Sequence, residues 1–268
     1  MIEQIQPGAT AKKARFVLFD FDGTVSLIRS GWVEVMVPMM VESLGELKTG
    51  ETEEQLASIV EEFVGRLTGK QTMYQMIELA RQVEIRGGKP LDPLLYKKAY
   101  LATLHHKIRH RLEELRRREV PPEKYLVPGA RPFIEALAGR GLTMYLASGT
   151  DQEFMRDEAR LLDMDRYFNG GVFGALDDYQ SFSKEILIQR VIASSGCRGE
   201  DFLGFGDGYV EIENVKQVGG VAVGVATAEP ECRQVDEWKK KRLVGVGADF
   251  IIPNFLCQRE LLEILFPP

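Results

Sequence analysis

The stretch Phe16 to Val25, FVLFDFDGTV, constrains this chain more than any other. Phe16 to Phe19 is a short apolar run of the kind that makes a strand buried on both faces. Asp20 ends that run, Asp22 follows one residue later, and Gly23 and Thr24 come next. Two carboxylates this close at the end of a buried strand repel each other and lose hydration. A bound divalent cation removes much of that cost. One carboxylate can then serve as ligand and nucleophile while the other handles protons. A calcium loop also contains a D-x-D spacing, but it closes on a Glu at its twelfth position. Counted from Asp20, that position is Gly31.

The pattern after Val25 turns from strand to helix. Val33, Met36, Val37, Met40, Val41 and Leu44 mark one face of a first helix, and Leu56, Ile59, Val60, Phe63, Val64 and Leu67 a second. Thr52 with Gln55 predicts a capping box before the second helix, and Thr72 with Gln75 the same device before a third. Asp92 followed by Pro93 opens a long fourth helix. Four amphipathic helices without a strand form a bundle, inserted after the first strand over residues 29–124. From Tyr125 onward apolar strands alternate with helices, which indicates a parallel sheet covered on both faces. The expected strands are Leu142 to Ala147, Phe202 to Phe205, Val221 to Val225 and Phe250 to Ile252, with a further apolar stretch at Val172-Phe173. Helices are expected near Glu231 to Arg242 and Phe255 to Leu265. The fold class is therefore α/β: a doubly wound parallel-sheet core, residues 1–28 and 125–268, carrying an all-helical insertion.

Sites in such sheets form at the carboxyl ends of the strands. The strand Leu142 to Ala147 ends in Ser148-Gly149-Thr150, where a hydroxyl and an approachable Gly N–H could cradle an anion. The same three residues could simply turn the chain into the next helix. Lys184 opens a helix, where its charge works against the macrodipole. The run FLGFGDGYVE ends a strand in Gly206-Asp207, with Glu211 four residues on. Its alternating glycines suggest a dinucleotide loop, but an Asp inside the loop would repel a pyrophosphate, and the run lies late in the chain.

Taken in order, these stretches resemble the haloacid dehalogenase superfamily. Asp20-x-Asp22-Gly23-Thr24 resembles its first motif in the phosphatase form, Ser148 the second and Lys184 the third. Gly206-Asp207 through Glu211 is similar to the fourth, with Glu in place of the commoner Asp. The helical insertion lies where the caps of the phosphoglycolate-phosphatase-like branch lie. The resemblance implies a magnesium-dependent phosphohydrolase of a small phosphorylated metabolite, a sugar or organic-acid phosphate. Metal ligands would be the Asp20 carboxylate, the main-chain carbonyl of Asp22, and Asp207. Asp20 would attack phosphorus and form an aspartyl-phosphate, with Asp22 as acid and base. Ser148, the Gly149 N–H and Lys184 would hold the phosphoryl oxygens. Glu211 would either reach the metal shell or hold Lys184. The same scaffold also hosts sugar phosphomutases and phosphonate hydrolases, the latter using a cap lysine, and an idle fold could serve as a binding subunit. Halide displacement is disfavoured because Asp22 supplies an acid/base that such dehalogenases lack.

In the insertion, Lys70 and Gln71 sit at a helix–loop tip with no local duty, and with Arg29 they are the candidates for substrate specificity. His106 and His110 are four apart on the long helix, but no third ligand accompanies them. Lys107, Arg109, Arg111, Arg116, Arg117 and Arg118 read as a solvated basic face, with Glu113–Arg117 and Glu114–Arg118 as four-residue pairs. A net charge of −6 argues against nucleic-acid binding. No apolar run reaches membrane-spanning length, and no apolar signal core precedes the first strand. Cys197, Cys232 and Cys257 are widely spaced and odd in number, as expected of reduced thiols in a cytoplasm.

Overall fold

The computed structural model describes residues 2–176, 178 and 181–268. Its strands are β1 (Glu3–Gln4), β2 (Phe16–Phe19), β3 (Thr143–Asp151), β4 (Gly171–Ala175), β5 (Phe202–Gly206), β6 (Val221–Val225) and β7 (Phe250–Ile252). Among the described residues they form one sheet in the order β1-β7-β6-β5-β2-β3-β4. The helices are α1 (Val33–Gly45), α2 (Glu53–Leu67), α3 (Thr72–Ile85), α4 (Pro93–Arg116), α5 (Ala130–Ala138), α6 (Gln152–Leu161), α7 (Lys184–Ser195), α8 (Tyr209–Gln217), α9 (Glu237–Gly245) and α10 (Gln258–Leu265).

The uninterrupted apolar run of β2 suits its place inside the sheet, between β5 and β3 and parallel to both. Phe16 pairs with Thr143 of β3 on one side and with Phe202 of β5 on the other. Successive residues of β2 face opposite ways, and each face has its own core. Phe19 stacks on Phe205 at 4.6 Å between ring centroids, and Phe133 of α5 packs edge-on to Phe205 and stacks on Phe255. On the other face Leu18 joins Leu187, Ile188, Ile212 and Val215 from α7 and α8. Both faces are covered by helices, as a doubly wound sheet requires. One strand departs from the parallel pattern: β1 pairs antiparallel with β7. Its sequence, Glu-Gln, carries no apolar signal, because an edge strand held by backbone hydrogen bonds needs none.

The chain divides into two compact units, residues 1–30 with 111–268, and residues 31–110. The division falls inside α4 rather than at 124, for a local reason. Arg111 Nη1 donates to the carbonyls of Leu27, Ile28 and Ser30 at 3.3, 2.9 and 2.9 Å. The last turns of α4 thereby belong with the core unit. The chain leaves and re-enters that unit through paired segments, with Leu27 N donating to Tyr125 O and Val127 N to Val25 O.

Within the second unit the Thr52–Gln55 capping box forms in both directions. The expected Thr72–Gln75 box does not: α3 begins at Thr72, its N-cap is Gln71, and Gln75 is drawn into the interior. A residue already inside the helix cannot cap it. Asp92 does cap α4, its Oδ1 accepting from Leu94 N. Val33, assigned to the apolar face of α1, is exposed. In the core unit, β3 runs four residues beyond the expected Ala147. A register shift between Ala147 and Asp151 lets the irregular segment still reach Ala175 of β4. The helix expected from Glu231 starts only at Glu237, capped by Asp236, and α10 starts at Gln258 rather than Phe255. No helix among the described residues is long and apolar enough to cross a membrane.

Candidate active site

Three neighbouring strands, β3, β2 and β5, deliver side chains to one end of the sheet. Asp20 directly follows β2, and its N–H donates to Phe205 O at the end of β5. The loop after it folds back tightly: Thr24 N, Val25 N and Ser26 N all donate to Phe21 O, and Gly23 N donates to Ser26 O. Gly23 has φ +75°, and a Cβ there would fall 2.3 Å from Asp207 Oδ2. Glycine thus lets the loop backbone lie directly against the carboxylate that follows β5.

Lys184, the first residue of α7, reaches across the sheet end. Its Nζ donates to Asp20 Oδ1 at 2.6 Å and to Glu211 Oε2 at 2.8 Å. The other oxygen of Glu211 accepts from Gly208 N at 2.8 Å, in the first turn of α8. Of the two roles open to Glu211, holding Lys184 is the contact it makes. Burial works against the ammonium, but Asp20 and Glu211 outweigh it and keep Lys184 firmly charged. Burial pushes Asp20 well above the usual carboxylate range. Lys184 opposes that shift, while Glu211 and Asp207 add to it.

Asp22 lies on the other side of the cluster. Its Oδ2 accepts from Ser148 Oγ at 2.9 Å and from Thr150 Oγ1 at 3.0 Å. Ser148 Oγ in turn accepts from Thr150 N at 2.9 Å. The irregular end of β3 is what brings both hydroxyls to one carboxylate, with the half-buried Gly149 between them. Asp22 Oδ1 is buried and accepts no hydrogen bond from the described residues, with Arg29 Nε 3.9 Å away. Arg29 itself is gripped by Glu158 of α6 through contacts of 3.1, 3.1 and 2.7 Å. It sits inside the core unit as a partner of two acids. Lys70 and Gln71 lie in the second unit at the α2–α3 turn. Gln71 is buried, and the exposed Lys70 places its Nζ 5.7 Å from the Tyr74 ring centroid.

Lys239 and Glu229 border this site, and neither lies in a motif that the sequence offers. Lys239 of α9 donates from Nζ to Asp207 Oδ2 at 2.9 Å and to Glu229 Oε1 at 3.2 Å. Burial disfavours its charge, but Asp207 and Glu229 outweigh that and hold it protonated. A usable signal was present: Lys239 is a cation in a helix first turn, the oddity that singled out Lys184. It was hidden because the helix was expected to begin six residues earlier.

Asp20, Asp207 and Glu211 each offer a carboxylate oxygen, all within 4.8 Å of one another. Such a group of oxygens suits a hard divalent cation. Burial raises Asp207 as it raises Asp20, with Lys239 opposing and Glu211 adding. A cation placed among them would reverse both shifts, so the residues present fit a metal ion. His106 and His110 belong to no such group among the described residues.

A curated 5'-nucleotidase of Pseudomonas aeruginosa is 30% identical over 128 residues. The match takes in 48% of this chain and only 55% of that relative's length. The crystal structure of a "predicted phosphoglycolate phosphatase" from Haemophilus somnus has the same fold at 13% identity. Its TM-score is 0.59, over 93% of this chain and 98% of the other. A "predicted phosphatase" from Clostridium acetobutylicum superposes with TM-score 0.58 at 16% identity, over 93% and 99% of the two chains. The model of the haloacid dehalogenase-like hydrolases matches residues 14–219, from the strand before Asp20 to the end of α8. The chain belongs to the haloacid dehalogenase-like hydrolase family.

Proposed function

We propose that the protein is a phosphomonoesterase that works through an aspartyl-phosphate on Asp20. The observation that carries this reading is the pairing of two acids in different surroundings. Asp20 sits against the ammonium of Lys184, and Asp22 against two hydroxyls and, at longer range, a guanidinium. Burial favours the protonated form of Asp20 and Lys184 opposes it; a bound cation would add to Lys184 and favour the anion that a nucleophile needs. Asp22, placed one residue beyond it, is the group available to exchange protons with the leaving oxygen.

Magnesium is the proposed ion, held by Asp20, Asp207 and the main-chain carbonyl of Asp22; when bound it supplies positive charge to the phosphoryl oxygens and lowers repulsion toward the incoming carboxylate. An Asp20 oxygen attacks phosphorus while the bond to the leaving oxygen breaks, and Asp22 hands that oxygen a proton. Asp22 then takes a proton from a water that attacks the same phosphorus, and the bond from phosphorus to Asp20 breaks. Inorganic phosphate leaves and both carboxylates are restored. Lys184 and the Ser148 hydroxyl, with the Gly149 N–H, stabilise charge on the phosphoryl oxygens during both displacements. Glu211 keeps Lys184 aimed at Asp20.

The substrate is a small phosphomonoester, a sugar or organic-acid phosphate. Nucleoside 5'-monophosphates belong in the test panel because a relative of that activity shares the sequence of part of the chain. A cytoplasmic enzyme that binds neither nucleic acid nor membrane is the setting that fits these substrates. The test is hydrolysis of an aryl phosphate, with and without magnesium, by the wild type and by Asp20→Asn. Turnover is expected only with magnesium and only in the wild type. Activity in fully chelated protein would refute the metal, and substantial activity in the Asn variant would refute the nucleophile.

A further inference from the structure

Asp207 does not stand alone before a cation reaches it. Its Oδ2, the oxygen that lies against Gly23, also accepts from Lys239. Lys239 in turn has a second acid within reach, Glu229. All three side chains are largely buried, with exposures of 14% for Asp207, 17% for Lys239 and 24% for Glu229. Their supports are firm. Asp236 Oδ1 accepts from Trp238 N and Lys239 N, which fixes the first turn of α9. The segment carrying Glu229 is tied down by an isolated bridge between Thr227 and Val235, by Thr227 Oγ1 donating to Pro253 O, and by Asn254 Nδ2 donating to Cys232 O.

A buried ammonium shared between two carboxylates is a charge that can shift its weight from one to the other. Cations compete for a carboxylate, because each lowers the negative potential that attracts the next. We propose that Lys239 is a tethered competitor for Asp207, with Glu229 as its alternative partner, and that this triad sets how tightly the site takes a divalent cation. The inference rests on the metal reading given above. Nothing in the phosphoryl-transfer steps requires Lys239, which touches none of the reacting groups; it is a positioning residue acting through Asp207.

The arrangement predicts opposite signs for two substitutions. Lys239→Met removes the competitor and frees Asp207, so magnesium binds more tightly. Glu229→Gln removes the alternative acid, so Lys239 holds Asp207 harder and magnesium binds more weakly. Each shift is on the order of ten-fold in Kd, the size a single neighbouring charge commonly produces. Lys239→Arg keeps the cation and stays near the wild-type value.

The measurement is isothermal titration of magnesium into each purified, chelator-stripped protein, with a thermal melt of each to establish folding. Opposite shifts for the Met and Gln variants support the proposal. Two shifts in the same direction would mean that Lys239 only orients Asp207, and overturn it. Unchanged affinities in folded variants overturn it as well, while leaving the metal reading intact. A wild-type protein that binds no magnesium overturns the metal reading, and this proposal with it. If one variant fails to fold, the sign of the other decides.

Discussion

Replacing Glu158 by Ala should be far more damaging than its distance from the reacting groups suggests. Glu158 is 1% exposed and Arg29 5% exposed, and three short contacts join them. Removing the acid takes the bidentate partner from a buried guanidinium whose neighbours include Asp22 Oδ1, 3.9 Å away, and the Phe154 ring. Breaking a buried pair from one side typically destabilises by about 3–5 kcal/mol. Since 1 kcal/mol moves the melting temperature of a domain of this size by about 2–4 °C, the melt should fall by roughly 6–20 °C. Exchanging both partners, Arg29→Met with Glu158→Leu, removes the two halves of the pair together and should recover most of the loss. Turnover should not recover, because the doubly substituted protein lacks the cation beside Asp22. Differential scanning calorimetry and steady-state kinetics on the single and double variants test both halves. A shift below about 2 °C for Glu158→Ala, or a double variant no more stable than the single, would refute the reasoning.

Gly206→Ala should disable the site from inside the strand: a Cβ there would fall 2.0 Å from Glu211 Cγ. Glu211 must move, Lys184 loses its second acid, and turnover should drop by roughly 10²-fold or more; kinetics near wild type would show that Lys184 needs no such support. Asp20→Asn should also reveal the strain of the metal-free site. Burial raises the Asp20 carboxyl, so the folded chain binds that proton more tightly than the unfolded chain. That contribution is complete below the ordinary carboxylate range and is lost as pH rises through the folded value. In chelator, the Asn variant should therefore melt above the wild type at pH 8, with the gap closing towards pH 4. Melting curves that stay parallel across that range would remove the argument.

The strand that ends in Asp20 was legible because its pattern is local: an apolar run followed by Asp20, Asp22 and Gly23. Five of the six parallel strands among the described residues were legible for the same reason, whereas β4, Gly-Val-Phe-Gly-Ala, showed only as an apolar stretch at Val172-Phe173. What escaped depended on contacts between distant segments. Thr150 was grouped with a turn, and only the register shift in β3 shows that its hydroxyl joins Ser148 on Asp22. The sequence offers Arg29 as a specificity candidate and cannot show its pairing with Glu158, which lies far along the chain on another element. Lys239 needed the true start of α9, which the Glu-rich residues before it obscured. β1 was invisible because pairing at a sheet edge is a property of the backbone. Thr72 misled because a Thr-x-x-Gln spacing is a cap only when the Thr lies outside the helix.

The central place of β2 also sets a timetable for folding. Its partners, β3 and β5, lie on the far side of the inserted helices, with Phe16 matched to Thr143 and Phe202. On a ribosome adding about 5–20 residues per second, the second of these partners arrives roughly 10–40 seconds after β2 itself. Throughout that interval Phe16, Val17, Leu18 and Phe19 form an unpaired apolar edge, the kind of segment that recruits other chains. The insertion is built from contacts closer in sequence, which form faster than distant pairings. Its early collapse would draw the ends of the intervening segment together and shorten the search that β2 must make. By folding on itself the helical unit would shorten the stretch of chain that separates β2 from its partners during synthesis.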